Sequence, residues 1–363
     1  MKLGWKLAAV AGIGTLALAG CGSAPEDEPG ASTGSTAEAI DYTACMVSDS
    51  GGFEDRSFNQ SGYEGLQQAE TDLGVQTQTA ESTAADQFGP NVDTLVQQNC
   101  NMIIGVGFLL ADAIGEAADA NPETDFALID STVDPERDNV QPIIFNTAEA
   151  SYLAGYLAAG QSTTGVVATY GGVPIPSVTV FMDGFADGVA AYNEAKGADV
   201  QLLGWDKDAQ TGAFVGNFED QAAGQTLTQG FLDSQADVIM PVAGPVGLGT
   251  VAAVRDAVDG GAAASIVWVD SDGYETNPDD GDLFLTTVVK EIGTAVEDVV
   301  SGGVDDEFSS APYIGTLENG GVGLAPYHDF DAQISDELKG EVEDLKQQII
   351  DGTLMVESEN SPS

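Results

Sequence analysis

Short runs of Val, Ile, Leu and Met, separated by longer stretches with apolar residues at three- and four-residue spacing, set the rhythm of this chain from residue 40 onward. Runs at 42–47, 75–79, 102–106, 126–129 and 143–146 are brief, all but 75–79 (VQTQT) are largely apolar, and they read as strands of a sheet covered on both faces. Between them, 60–73, 89–98 and 109–120 carry helical periodicity, the last closed by Asn121-Pro122. Strand and helix in this alternation predict a parallel sheet covered by helices on both sides. The pattern then restarts with a small-residue helix at 147–160. Strands at 166–170, 200–203, 238–240 and 266–269 follow, interleaved with helices at 178–194, 218–232 and 246–258. Left over are a strand at 283–288, a helix to about residue 300, a Gly-rich strand at 321–324 and an acidic amphipathic helix at 335–350. Such a remainder predicts a chain that crosses back between two α/β lobes, leaving a cleft and a hinge. The expected lobes are 40–147 with about 288–318, and 148–287 with about 320–352, followed by a flexible tail at 353–363.

The first twenty residues do not share this rhythm. Lys2 and Lys6 precede an apolar run at 7–19, too short for a comfortable membrane span, which ends in Leu18-Ala19-Gly20-Cys21. That is the shape of an export signal. Residues 22–39 are rich in Gly, Pro, Ser and Thr without apolar period, and read as a tether. The protein is therefore expected outside the membrane.

Composition narrows the partners. Ten Lys and Arg against 59 Asp and Glu give a formal charge of −49, which excludes nucleic acid and anionic membrane surfaces as electrostatic partners. An acidic coat with so few lysines also suits high salt, where screening removes the self-repulsion of the compact state. Beyond Cys21 there are two cysteines, Cys45 and Cys100. Both flank strand-like runs that would be sheet neighbours, so they read as a disulfide, with two buried thiols as the alternative. One histidine, His328, leaves no Ser/His, Cys/His or His-rich metal constellation, and no Walker loop or G-x-S-x-G elbow occurs. Carboxylate pairs alone leave a glycosidase as the enzymatic alternative. The Gly244–Gly249 pattern lacks the spacing of a dinucleotide fingerprint.

Seven blocks carry a specific resemblance: VSDSGGFEDRSFNQSGYEGL, NMIIGVGFLLADAI, DFALIDS, NTAEASYLAGYLAA, FMDGFADGV, ADVIMPVAGPVGLG and VWVDSDG. In sequence and in order they resemble the basic membrane protein family of ABC-transporter substrate-binding lipoproteins, over about residues 44–290. LAGC likewise resembles a lipobox, which would lipidate Cys21 and anchor the mature chain; an ordinary signal with an incidental cysteine is the alternative. The resemblance implies the type 1 periplasmic-binding-protein fold, each lobe a parallel sheet flanked by helices. It implies a nucleoside, purine foremost, held between the lobes and passed to an ABC permease by a monomer. It implies no enzyme activity, no cofactor and no metal. A sugar or another heterocycle as ligand, and ligand sensing without transport, remain alternatives.

Candidate ligand contacts follow from residue chemistry and from this resemblance. Asp49 ends the first strand, where open α/β sheets bind ligands. Ser57-x-x-Gln60 and Ser61-x-x-Glu64 both fit a capping box, placing Phe58 and Asn59 at a helix entrance. A purine needs a flat apolar face, which Phe58 supplies, and paired donors and acceptors, which Asn59 and Asp49 supply. The alternative makes Phe58 a core staple and Asn59 a turn residue. Asp130, Asp270 and Asp272 stand at or just past strand ends, where carboxylates can grip a ribose. The resemblance adds Lys290 as a sugar contact, with a surface ion pair as the alternative. It also sets Met240 where the family commonly has a stacking aromatic, and brings the backbone at Gly244, stiffened by Pro245, near the ligand. Phe181 and Phe185 are candidates for the missing aromatic contact, or for core packing.

Overall fold

The computed structural model describes residues 38–362. The export signal, Cys21 and all but the last two residues of the predicted tether lie outside them.

The first lobe begins with β1 (Thr43–Ser48), α1 (Phe58–Leu73), β2 (Gln76–Ala80), α2 (Phe88–Gln97), β3 (Met102–Val106), α3 (Ala111–Ala120), β4 (Asp125–Ile129) and β5 (Val140–Phe145). The second follows with α4 (Thr147–Gln161), β6 (Val166–Gly171), α5 (Pro176–Lys196) and β7 (Gln201–Leu203), then a small antiparallel pair, β8 (Trp205–Asp206) and β9 (Thr211–Gly212). It continues through α6 (Gln221–Asp233), β10 (Val238–Val242), α7 (Gly247–Asp259), β11 (Ser265–Asp270), α8 (Gly273–Thr276) and β12 (Phe284–Lys290). Last come α9 (Ile292–Val304), β13 (Tyr313–Gly315), β14 (Val322–Leu324) and α10 (Asp336–Ile350).

Two six-stranded sheets result, in the orders β13-β5-β4-β3-β1-β2 and β14-β12-β11-β10-β6-β7. All neighbours are parallel except β14, which runs antiparallel to β12. Near-continuous burial of β1, β3, β10 and β11 is what a sheet covered on both faces demands. The outer faces carry separate cores: Val92, Leu95 and Ile114 pack on the first sheet, Phe231, Val251 and Trp268 on the second. A third core runs without a break from Met46 and Leu66, through Leu153 and Phe185, to Met240 and Val267, and so ties the lobes together. Within it, α4 and α5 approach closely enough that a Cβ on Gly155 would lie 2.1 Å from the Phe185 carbonyl oxygen.

Cys45 and Cys100 are bonded, with Cα atoms 6.0 Å apart. The chain crosses between sheets after β5, after β12 and after β13. These crossings lie side by side: the Asn146 amide donates to Gly315, the Glu291 amide to Gly321, and the Leu317 amide to the Glu149 carboxylate at 2.7 Å.

Three local readings differ from expectation. The helix read at 218–232 starts at Gln221, because Asp220 accepts from the Ala223 amide at 2.9 Å and acts as its cap. β13, three residues long, gave no periodic signal. The segment beyond 353, read as a flexible tail, is hydrogen-bonded to the body. Ser358 Oγ donates to Asp183 at 2.6 Å and Ser361 Oγ to Asn146 at 3.2 Å, while Leu354 and Val356 pack on the shared core.

Candidate ligand-binding cleft

The C-terminal ends of both parallel sheets converge on one cleft of about 550 Å³, counting its mouth. This is the placement that open α/β sheets favour for ligands. Asp49, Phe58, Asn59, Asp130, Phe181, Gly244, Asp270 and Lys290 all line it.

The first wall is the turn between β1 and α1. Ser57 is the residue before the helix, yet its hydroxyl does not cap it. Asp55 does so instead, accepting from the amides of Ser57 (2.9 Å), Asn59 (2.9 Å) and Gln60 (3.0 Å). This satisfies donors that a helix start leaves open. The Ser57 hydroxyl, thus released, reaches across the cleft to Asp270 Oδ2 at 3.0 Å, and Ser271 Oγ returns a bond to the Ser57 carbonyl at 3.0 Å. The lobes are therefore latched over the cleft. Asn59 Nδ2 donates to Asp49 Oδ1 at 3.1 Å. Burial pushes the Asp49 carboxyl up to about 8, against the pull of the Asn59 hydrogen bond and with the help of the charges on Asp55, Asp130 and Glu219.

The cleft also holds a buried charge cluster. Lys290 Nζ lies 2.5 Å from Asp130 Oδ2 and 3.2 Å from Asp270 Oδ1, with all three side chains less than a tenth exposed. Burial works against the charge on Lys290, but the two carboxylates more than offset it and hold its pKa above the ordinary lysine value. Burial pushes the Asp130 carboxyl upward, while Lys290 pulls it down. The ammonium also sits 4.8 Å from the centre of the Phe58 ring and 5.1 Å from that of Phe181. That cation–aromatic contact helps to hold a charge out of water.

Two expected contacts lie elsewhere. Met240 is fully buried in β10. Its neighbour two residues on, Val242, lines the cleft, and at about 3.3 Å of rise per residue Met240 sits too deep to do so. Asp272 turns away from the cleft: its Oδ1 caps α8 through the Tyr274 amide, and its Oδ2 meets His328 Nε2 at 2.7 Å. Phe185 is a core residue. Phe58 packs partly on the core and also lines the cleft.

Sequence reasoning missed Asp55, Phe108 and Phe218, all of which line the cleft. Phe218 supplies an aromatic from the second lobe. The Asp220 cap, three residues before Ala223, was the signal that would have moved it from helix to loop. Gly107 stands behind Asp49: its φ is +114°, and a Cβ there would lie 2.1 Å from Asp49 Oδ2. Only glycine fits that wall.

Two lobes, three crossings and a shared cleft are the architecture of the periplasmic-binding-protein fold. The chain belongs to the Bmp family, described as ABC transporter substrate-binding protein PnrA-like, which matches residues 42–360. It is 32% identical to a CD4+ T-cell-stimulating antigen of Listeria monocytogenes, covering 93% of this chain and 94% of that protein. It is 31% identical to the ABC transporter nucleoside-binding protein BmpA of Lactococcus lactis, covering 97% and 98% respectively. Among solved structures, an ABC transporter solute-binding protein from Aeropyrum pernix superposes with a TM-score of 0.78 at 25% identity, over 86% of this chain and 92% of that one. Proteins of this family bind small ligands and work with ABC permeases; they are binding proteins and not enzymes.

Proposed function

We propose that the chain is an extracytoplasmic, lipid-anchored monomer that captures a nucleoside, purine foremost, between its lobes and delivers it to an ABC importer. The observation that carries this reading is the set of groups brought together in one cleft. Asn59 and Asp49 offer an amide and a carboxyl, the rings of Phe58, Phe181 and Phe218 offer apolar faces, and Asp130, Asp270 and Lys290 form a charged cluster. A nucleoside has the same three parts: a base edge with donors and acceptors, a flat apolar face, and vicinal hydroxyls that donate to carboxylates. The nucleoside-binding relative from Lactococcus supports the same ligand class. The one ammonium that lines the cleft is already paired with Asp130 and Asp270, which disfavours a phosphorylated ligand. The anchor rests on Cys21 in its lipobox-like setting and on the export signal before it.

Calorimetric titration of the chain from Ala39 onward with adenosine, guanosine, inosine, cytidine, uridine and ribose tests this. One-to-one binding of a nucleoside, with ribose and the matching monophosphate much weaker, is the expected result. A folded protein silent to every nucleoside contradicts it.

A further inference from the structure

Asp55 accepts four N–H bonds. Its Oδ1 takes the amides of Ser57 and Gln60, and its Oδ2 takes the Asn59 amide at 2.9 Å and Asn59 Nδ2 at 3.1 Å. A carboxamide that faces a carboxylate already crowded by donors can present only its NH2 end. The second proton of that NH2 goes to Asp49 Oδ1. Turning the amide over would set its carbonyl oxygen against Asp55 Oδ2, an acceptor that would lose its Asn59 Nδ2 donor. Asn59 Oδ1 is consequently the free end: it is buried, has no partner among the described residues, and belongs to a side chain that lines the cleft.

We propose that Asp55 is a positioning residue that locks the Asn59 carboxamide with its carbonyl free, so that the cleft selects ligands whose edge donates an N–H to it. The inference rests on the nucleoside reading and deepens it. Asp49, whose Oδ1 accepts from Asn59 Nδ2, lines the same cleft, with its Oδ2 packed on Gly107. With Oδ1 committed as an acceptor, a proton on Asp49 resides on Oδ2, where it donates. An acceptor next to a donor complements a base edge with the reverse pair: the 6-amino group of adenine beside a ring nitrogen, or N1–H beside O6 in hypoxanthine and guanine. A buried acceptor left empty by a ligand without that N–H discriminates strongly against it.

The test compares adenosine, inosine and purine riboside, which lacks the donor and adds no bulk. In the wild type, purine riboside is expected to bind roughly tenfold or more weakly than the better of the other two. Asp55→Asn offers Asn59 a donor, lets its amide turn over, and should reduce that ratio to within about threefold, whatever it does to absolute affinity. A purely structural role for Asp55 would lower all three affinities together. If Asp55→Asn does not fold, Asp55→Ser keeps a helix cap, offers Asn59 a hydroxyl, and should collapse the ratio in the same way. Equal binding of the three ligands to the wild type, or an unchanged ratio in the folded variant, overturns this inference alone. Silence from all three overturns the nucleoside reading and the inference with it.

Discussion

Asp130 and Asp270 stand at the ends of corresponding strands, β4 and β11, each third in its sheet, and both adopt the left-handed backbone with φ of 62° and 71°. Side chains other than Gly, Asn and Asp resist that conformation by about 1–2 kcal/mol. The conformation turns each carboxylate out of its strand and into the cleft, where one lysine serves both. The pair is thus a device repeated in the two lobes, and both halves meet on Lys290.

Removing that lysine should expose the cost of the arrangement. Lys290→Met leaves two buried carboxylates without a counter-charge, which typically destabilises by about 3–5 kcal/mol. Urea denaturation at neutral pH should show the loss. At acidic pH, where the carboxyls are protonated, the variant should recover most of it; an equal loss at both pH values would mean that Lys290 acts through packing alone.

Asp49 makes stability depend on pH in the opposite sense to an ordinary salt-bridged carboxylate. Its folded pKa, about 8, lies above its unfolded value, so the folded state holds the proton more tightly between the two. The stability this contributes is fully present below about pH 4 and is lost as pH rises through 8. Asp55 and Asp130, also raised by burial, push in the same direction. Melting temperatures across this range should fall with pH in the wild type and fall less steeply in Asp49→Asn. If Asp49 meets the ligand as a neutral donor, affinity for a nucleoside should also weaken above pH 8.

The Cys45–Cys100 bond joins residues 55 apart in sequence. In the chain-entropy account, a loop of that length contributes about 4 kcal/mol. Replacing both cysteines with serine should lower the unfolding free energy by that order, and reductant should lower the wild type while leaving the double variant unchanged.

A charge of −49 spread over a coat with few lysines implies strong self-repulsion at low ionic strength. Screening shortens its reach from about 30 Å at 0.01 M to about 3 Å at 1 M. The melting temperature should therefore climb by several degrees or more between dilute buffer and molar KCl. A flat profile would show that the acidic groups are spaced widely enough not to matter.

Much of the architecture was legible because periodicity reports which faces are buried. The strand at 102–106 is Met102–Val106, and the last helix differs from its expected range by one residue. The cleft was less legible, for reasons particular residues make plain. Phe218 continues an apolar spacing that suits a helix, and only the Asp220 cap, a local hydrogen bond, ends the helix before it. Met240 follows the strand pattern correctly, yet the pattern does not say how deep along the strand a side chain lies. Ser57 fits a capping box, but Asp55 displaced it by accepting three amides with one carboxylate. In a chain with 59 acidic residues, nothing in composition marks that one aspartate.

In the proposed function, one cleft grips a base with the Phe58 and Phe218 rings and a ribose with Asp270. Calorimetry of the best nucleoside against the wild type, Phe58→Ala, Phe218→Ala and Asp270→Ala tests it most directly. Stacking of a base on an aromatic ring is worth about 1–3 kcal/mol, so each phenylalanine variant should lose roughly 5- to 150-fold in affinity. Asp270→Ala should lose at least as much while remaining folded. Undiminished binding in all three variants, or no binding of any nucleoside by the wild type, would contradict the account.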